Sequence, residues 1–331
     1  MQTKPDQQSV CVVTGVAGFV GSHLADRLLE LGCTVIGVDN FFSGKPDNLA
    51  TLNPHPNFSL RRQSVTEPGL LTRIQQQHPR LATVFHLAAI VSVPYSLDHP
   101  EECHAVNQAA TASLLEESRR LGLDTFVFAG SAAEYGAVER MPLVESYATE
   151  RTERLSPYGE SKFAASRAVA GARAKPREVA LRCFNIFGPR QDPSSPYSGV
   201  ISRFIRMATA GDALTVFGDG LQTRDFIYVA DVVEAYLAAA GLNGSRAAPA
   251  AGIYNIGSGA RLAVLDLARV IQGLTGQPKS ISFYPERAGD VRHSQADISA
   301  FVGATGWRPV VSLDRGLQRT IEWMRAQAQP G

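Results

Sequence analysis

The sequence predicts an α/β protein built on a parallel sheet with helices on both faces. Three observations carry that prediction. Short β-branched runs alternate with helical stretches through the first half of the 331-residue chain. The strand-like runs are continuously apolar, as befits strands covered on both sides. A glycine-rich turn joins the first strand to the first helix.

The elements follow in order. "VCVVTG" (10–15) reads as a buried strand, "GSHLADRLLELG" (21–32) as a helix closed by Gly32, and "TVIGVD" (34–39) as a second strand. "ATVFHLAA" (82–89) is a further strand, and "ECHAVNQAATASLLEESRRLG" (102–122) a long helix stopped by Gly122. "TFVFAGS" (125–131), "SPYGESKFAASRAVAGARAK" (156–175) and "EVALRCFNIFG" (178–188) read as strand, helix and strand. After about residue 186 the texture changes. "GPRQDPSSPYSG" is rich in Gly, Pro and Ser, and regular alternation is lost. "GLNGSRAAPAAG" (241–252) reads as a surface loop. Residues 187–331 are expected to form a smaller α/β region over the end of the sheet, with some elements rejoining it.

Composition narrows the function classes. Apolar residues make up 44% and charged residues 19%, ordinary for a soluble globular protein. A net charge of +1 provides no global field for nucleic acid or an anionic membrane. Cys11, Cys33, Cys103 and Cys183 are scattered without a C-x-x-C pair, which suits free thiols in a reducing cytoplasm. The first nine residues lack an apolar signal-peptide core, and no run of eighteen apolar residues is present, so no membrane span is expected.

Gly15, Gly18 and Gly21 in "TGVAGFVG" are spaced G-x-x-G-x-x-G between a strand and a helix start. Glycine there lets the backbone turn tightly and approach a pyrophosphate, while the helix N-terminus presents N–H groups and positive dipole. The next strand ends in Asp39, eighteen residues past Gly21. A carboxylate at that place accepts both ribose hydroxyls of NAD and repels a 2′-phosphate. No arginine adjoins Asp39 in sequence, and Lys45 is a weak counterweight, so NAD is expected over NADP. The fold class is therefore a Rossmann-type doubly wound sheet, with residues 1–186 as the NAD-binding unit. The small residues of "HLAA" (86–89) suit close passage against a cofactor. His86 has no second His or Cys at metal spacing, so no metal is expected.

Ser131 falls at a strand end, where parallel sheets place ligands. Tyr158 and Lys162 in "SPYGESK" share a helix face, about 5–6 Å apart at Cβ. A neighbouring cation and an oxidised nicotinamide are expected to lower the tyrosine from about 10 towards neutrality. Tyr158 would then serve as a general base for deprotonating a carbinol.

With "VDNFFSG", "LRCFNIFGPRQ", "VFGDG", "TRDFIYVADV", "YNIGSG" and "ERAGDVRHS", these motifs make the chain resemble the extended short-chain dehydrogenase/reductase family. Within it the closest likeness is to the nucleotide-sugar 4-epimerase branch acting on UDP-N-acetylglucosamine or UDP-glucose. The resemblance spans about Val10 to Pro309. It implies that Gly15, Gly18, Phe19, Val20 and Gly21 surround the pyrophosphate, and that Asp39, Asn40, Ser43 and Gly44 surround the adenosine ribose. Ser64 and Val65 lie at the adenine, and Leu87, Ala88, Ala89 and Asn107 line the cofactor. Lys162 binds the nicotinamide ribose and acidifies Tyr158, while Ser131 meets the sugar 4-hydroxyl. Asn185 contacts a phosphate, and Val200, Thr215 and Phe217 border the uracil. Arg224 and Arg287 neutralise the diphosphate, and Asp290 reaches the uridine ribose. The family's usual Gly-Asp pair is Gln63-Ser64 here, which puts the adenine contact in question.

The branch also holds dehydratases and decarboxylases. Their acidic residues would fall at Ala132 and Ala133, and Glu134 is one position off, so 4-epimerisation is expected. Ser294 stands where glucose-restricted epimerases carry tyrosine, leaving room for an acetamido group. UDP-GlcNAc/UDP-GalNAc is thus favoured, with UDP-Glc/UDP-Gal as a second activity. A glucuronate 4-epimerase is the alternative, disfavoured because Asp192 stands near the position of its carboxylate-binding arginine. A non-catalytic NAD-binding sensor is a further alternative. The helices near 103–121 and 157–174 are expected to form a four-helix homodimer contact, as in the family.

Overall fold

A computed structural model describes residues 9–171, 175–193, 199–244, 247–276, 280–286 and 291–328. Its first half runs β1 (Val10–Thr14), α1 (Phe19–Glu30), β2 (Thr34–Val38), β3 (Phe58–Arg61), α2 (Leu70–Gln77), β4 (Leu81–His86), α3 (Val93–Asp98), α4 (Pro100–His104), α5 (Ala110–Arg120), β5 (Thr125–Ser131), α6 (Pro157–Val169) and β6 (Arg177–Cys183). The second half continues with β7 (Asn185–Phe187), α7 (Val200–Ala210), β8 (Leu214–Phe217), β9 (Thr223–Arg224), β10 (Phe226–Tyr228), α8 (Val229–Ala240), β11 (Gly252–Ile256), β12 (Leu262–Ala263), α9 (Val264–Thr275), β13 (Ile281–Tyr284), α10 (Ser299–Thr305) and α11 (Leu313–Ala328).

The main sheet has seven strands in the order β11-β6-β5-β4-β1-β2-β3, and every pair is parallel. The order reverses between β1 and β4, which opens a crevice at their C-terminal ends. Val13, Phe85 and Val127 pack on one face beneath α1 and α8, against Leu24, Leu28 and Tyr236. Ile36, Val84 and Phe126 pack on the other face, against Leu71, Leu114 and Val169. Burial of each such side chain stabilises the fold by roughly 1.5–3 kcal/mol before entropy is counted. A third core, around Phe204, Leu214, Leu267 and Leu317, joins α7, α9 and α11 to the small sheet β13-β8.

Three local features differ from the sequence reading. β3 has no continuous apolar run, because it is a half-exposed edge strand. The helix expected over 102–122 is interrupted by a π-helical turn at Ala105–Ala109. The helix expected to reach residue 175 ends at Val169, and residues 172–174 lie outside the described residues. The sheet also extends beyond the first 186 residues, since β11 pairs with β6 from Gly252↔Val179 to Ile256↔Cys183.

Candidate active site

The glycine loop between β1 and α1 sits at the crevice. Gly15 has φ +71°, and its N–H donates to the Val38 carbonyl at 2.8 Å. A β-carbon on Gly15 would lie 2.8 Å from the Ala88 nitrogen, and one on Gly21 would overlap the Gly15 carbonyl. Glycine is therefore required for the turn and for the helix to seat against it. Gly18 precedes α1, whose first residues are Phe19 and Val20, so the helix N-terminus faces the same crevice.

Asp39 directly follows β2 and is buried. Its Oδ2 accepts from Ala17 N at 2.9 Å and its Oδ1 from Phe41 N at 2.7 Å. Burial raises its pKa, and the two amide hydrogen bonds oppose that shift. Each oxygen keeps a further acceptor site for a ribose hydroxyl. Gly44 packs onto this carboxylate, because a β-carbon there would lie 3.0 Å from both oxygens. Asn40 and Ser43 are exposed beside it. The glycine positions and this carboxylate fit a dinucleotide. Ser64 is half-buried, with its hydroxyl 2.8 Å from Thr66 Oγ1 and its N–H on Glu67 at 3.1 Å, and Val65 is buried. Arg62 lies over the Phe41 ring at 5.2 Å, a contact that sequence adjacency does not reveal.

His86, at the end of β4, is fully buried between two threonines. Thr111 Oγ1 donates to the Asn107 carbonyl at 2.7 Å, so it accepts from His86 Nε2 at 2.9 Å. Thr14 Oγ1 accepts from Leu87 N and Ala88 N, each at 3.1 Å, so it donates to His86 Nδ1 at 2.7 Å. The network thus assigns the neutral Nε2–H tautomer. Burial and the Lys162 charge push His86 down to about 3. His86 therefore fixes the strip Leu87, Ala88 and Ala89 rather than titrating. Asn107 lies in the π-helical turn and is fully buried. It bonds the backbone of Ile90 through both amide atoms and donates to Ser161 Oγ at 3.1 Å. It holds the cofactor strip from beneath and has no surface of its own in the crevice.

Ser131, Tyr158 and Lys162 converge at the end of β5. Ser131 caps the single 3₁₀ turn Ala132–Tyr135, its Oγ accepting from Ala133 N at 3.2 Å. Ser156 caps α6 with Pro157 in the first turn, which places Tyr158 at its mouth. Ser131 lies near enough to Tyr158 to favour its ionised form. Lys162 is 2% exposed, donates to the Ala129 carbonyl at 2.9 Å and sits 4.7 Å above the Phe128 ring. Burial pushes Tyr158 up to about 12, with Ser131 pulling the other way, and pulls Lys162 down to about 8. This runs against the expected acidification of Tyr158. The protein's own groups do not supply that acidification.

A separate cavity lies beside β8. Asn185, Val200, Thr215, Phe217 and Arg224, read separately from the sequence, line it together. Arg203, Phe204, Met207, Gln222 and Val264 complete the lining and were not anticipated. Their signal was present: residues 200, 203, 204 and 207 share one face of α7. Ser294 is buried, and its N–H donates to the Thr223 carbonyl at 3.0 Å, next to Arg224. Arg287 and Asp290 lie outside the described residues. Asp192 pairs with Lys45 at 2.7 Å, so its charge is balanced and it repels a uronate less than the sequence suggests. Among the described residues no cluster of His, Cys, Asp and Glu could hold a metal, and no helix is long and apolar enough to cross a membrane.

The model of the NAD dependent epimerase/dehydratase family matches residues 11–257. The chain is 34% identical to the UDP-glucose 4-epimerase of Mycolicibacterium smegmatis, over 96% of this chain and 99% of that one. It is also 34% identical to UDP-glucuronic acid decarboxylase 1 of Xenopus tropicalis, over 96% of this chain and 72% of that one. The crystal structure of the Thermotoga maritima UDP-glucose 4-epimerase with UDP-glucose superposes with a TM-score of 0.88 at 35% identity, covering 97% of this chain and 100% of that one. With its NAD-type crevice and its serine, tyrosine and lysine at one strand end, the chain belongs to the NAD dependent epimerase/dehydratase family and is an NAD-dependent enzyme resembling the UDP-sugar 4-epimerases.

Proposed function

We propose that the enzyme interconverts C4 epimers of a UDP-hexose through a 4-keto sugar, with UDP-GlcNAc/UDP-GalNAc as the favoured pair and UDP-Glc/UDP-Gal as a second activity. The observation that carries epimerisation is the turn after β5. Ala132 and Ala133 stand at its outer positions, while the Glu134 side chain is fully buried against Arg182 at 2.5 Å. The turn therefore offers no acid to a substrate for elimination of water, and a 4-keto sugar is left to be reduced again. Bound NAD supplies the hydride acceptor and returns the hydride. Tyr158 takes the C4 hydroxyl proton and later restores it, Ser131 steadies that hydroxyl, and Lys162 holds the nicotinamide ribose. Gly15, Gly18, Gly21 and Asp39 hold the rest of the dinucleotide. Asn185 and Arg224 bind phosphate oxygens, and Val200, Thr215 and Phe217 flank the uracil.

Ser294 is small and donates its N–H to the Thr223 carbonyl next to Arg224, and its size supports room for an acetamido group. UDP-glucuronate remains the second reading, favoured by the Lys45–Asp192 pair, which offsets the acidic charge near the sugar side. A homodimer is proposed through α5 and α6. The exposed face of α5 carries Ala112 and Ser113, and that of α6 carries Arg167 and Ala168, so small side chains leave room for helix approach. Incubation of the purified enzyme with UDP-GlcNAc, UDP-Glc and UDP-GlcA, followed by NMR of the C4 proton, tests the reading. Equilibration of UDP-GlcNAc with UDP-GalNAc supports it, whereas release of a UDP-pentose with carbon dioxide overturns it.

A further inference from the structure

The buried carboxylate of Glu134 is the one acidic group of the β5 turn, and the reaction described above does not use it. Its Oε1 accepts from Ser131 N at 2.9 Å and from Ser166 Oγ on α6 at 2.8 Å. Its Oε2 accepts from Arg182 Nε on β6 at 2.5 Å. Both partners are at most 1% exposed. Arg182 reaches on to the Glu145 carbonyl at 2.8 Å and to the Tyr135 hydroxyl at 3.4 Å. Tyr135 donates to Asn255 Oδ1 at 2.6 Å, and Asn255 donates to the carbonyls of Leu143 and Asp297. The sequence also makes room for the carboxylate. Gly130 faces Arg182 across the β5–β6 ladder, and a β-carbon there would lie 2.8 Å from Glu134 Oε1.

We infer that Glu134 and Arg182 are positioning residues for Ser131. The carboxylate holds the Ser131 backbone from behind, and Arg182 holds the carboxylate. Because Ser131 Oγ accepts from Ala133 N within the same turn, its hydroxyl hydrogen is left to point towards Tyr158 and a bound sugar. The same network reaches Asp297, so the serine and the strip that carries Ser294 share one anchor. A buried pair of this kind adds little net stability compared with apolar residues of similar size, and it is more readily understood as fixing one geometry.

This inference rests on the proposed epimerase reading for its kinetic test, and a second test is independent of that reading. Removing one charge alone would leave the other buried without its partner, so the variants are paired. E134L/R182M removes the ion pair and the acceptor for Ser131 N. E134Q/R182M removes the ion pair and keeps that acceptor. The expected result is that E134L/R182M, carrying a parental content of NAD, loses roughly 10²-fold in kcat at little-changed KM, since small misplacements of catalytic groups have effects of that order. E134Q/R182M is expected to recover most of that loss. Hydrogen exchange of the Ser131 amide should be protected in the parent and in E134Q/R182M, and fast in E134L/R182M. Equal kcat in the two double variants, whether high or low, would overturn the inference, as would equal protection of the Ser131 amide. A parent that turns over no UDP-sugar would instead refute the functional reading, and the amide measurement would still decide the role of Glu134.

Discussion

The crevice at the C-terminal ends of β1 and β4 and the cavity beside β8 are built in opposite ways. At the crevice Lys162, His86, Asn107 and Asp39 are all buried, and hydrogen bonds with stated partners fix each of them. In the cavity Asn185 is exposed, and Thr215, Phe217 and Arg224 are half-exposed on short strands outside the main sheet. The first site is set before any ligand arrives. The second is a lining on peripheral elements, which can vary without disturbing the sheet. The contrast separates a crevice fixed by buried hydrogen bonds from a lining that peripheral elements can change.

The largest test of that division is Tyr158→Phe. Loss of the phenolic oxygen should lower kcat by roughly 10²–10⁴-fold, the range for a positioned acid–base group, while isothermal titration finds UDP affinity unchanged. A parallel fall in UDP affinity would show that the two regions are not separate. Arg224→Ala should do the reverse. Its guanidinium now donates to the Thr223 carbonyl at 2.9 Å, and its loss should weaken UDP binding by about 10- to 100-fold, the worth of a charged hydrogen bond, with NAD content preserved. Ser294→Tyr sharpens the cavity side further. Overpacking of about 1–3 kcal/mol should fall on acetamido sugars and spare UDP-Glc, so the ratio of the two kcat/KM values is the readout.

The smallest effect concerns stability at the crevice. Folded His86 sits near 3, below its ordinary 6.5. Below pH 6.5 the unfolded chain takes up a proton that the folded chain refuses. Stability is therefore unaffected by this group above pH 6.5 and falls as pH drops from 6.5 towards 3, by about 1.4 kcal/mol per unit. Urea unfolding at pH 7 and pH 5.5 measures this slope, and His86→Gln should remove its share. An unchanged slope in the variant would show that His86 is not the group held neutral.

The sequence exposes these two regions unequally. β1, β2, β4 and β5 are largely apolar runs, and Gly15, Gly21 and Asp39 carry a spacing that suits a strand–turn–helix unit, so the crevice was legible. β3 was not, because an edge strand with a half-exposed pattern has no apolar signature. Ser131, Tyr158 and Lys162 could be found from spacing and motif, but the charge state of Tyr158 could not. Spacing reports the neighbour at position 162 and says nothing of the burial that raises the tyrosine. The charge balance at Asp192 was hidden for a similar reason: its partner Lys45 is remote in sequence and adjacent only after folding. Arg203 shares the α7 face of Val200 and could have been found from that spacing, whereas Gln222 lies in a loop that carries no such periodicity.

β11 completes the main sheet from the far side of the chain, sixty-nine residues after β6 ends at Cys183. A fragment cut at the apparent boundary near residue 186 would keep every catalytic side chain and still leave the whole length of β6 without its outer neighbour. Bare backbone along an apolar parallel strand recruits other strands. Such a fragment would therefore self-associate through that edge, and the enzyme's two halves are better regarded as one folding unit than as a catalytic module with a removable cap.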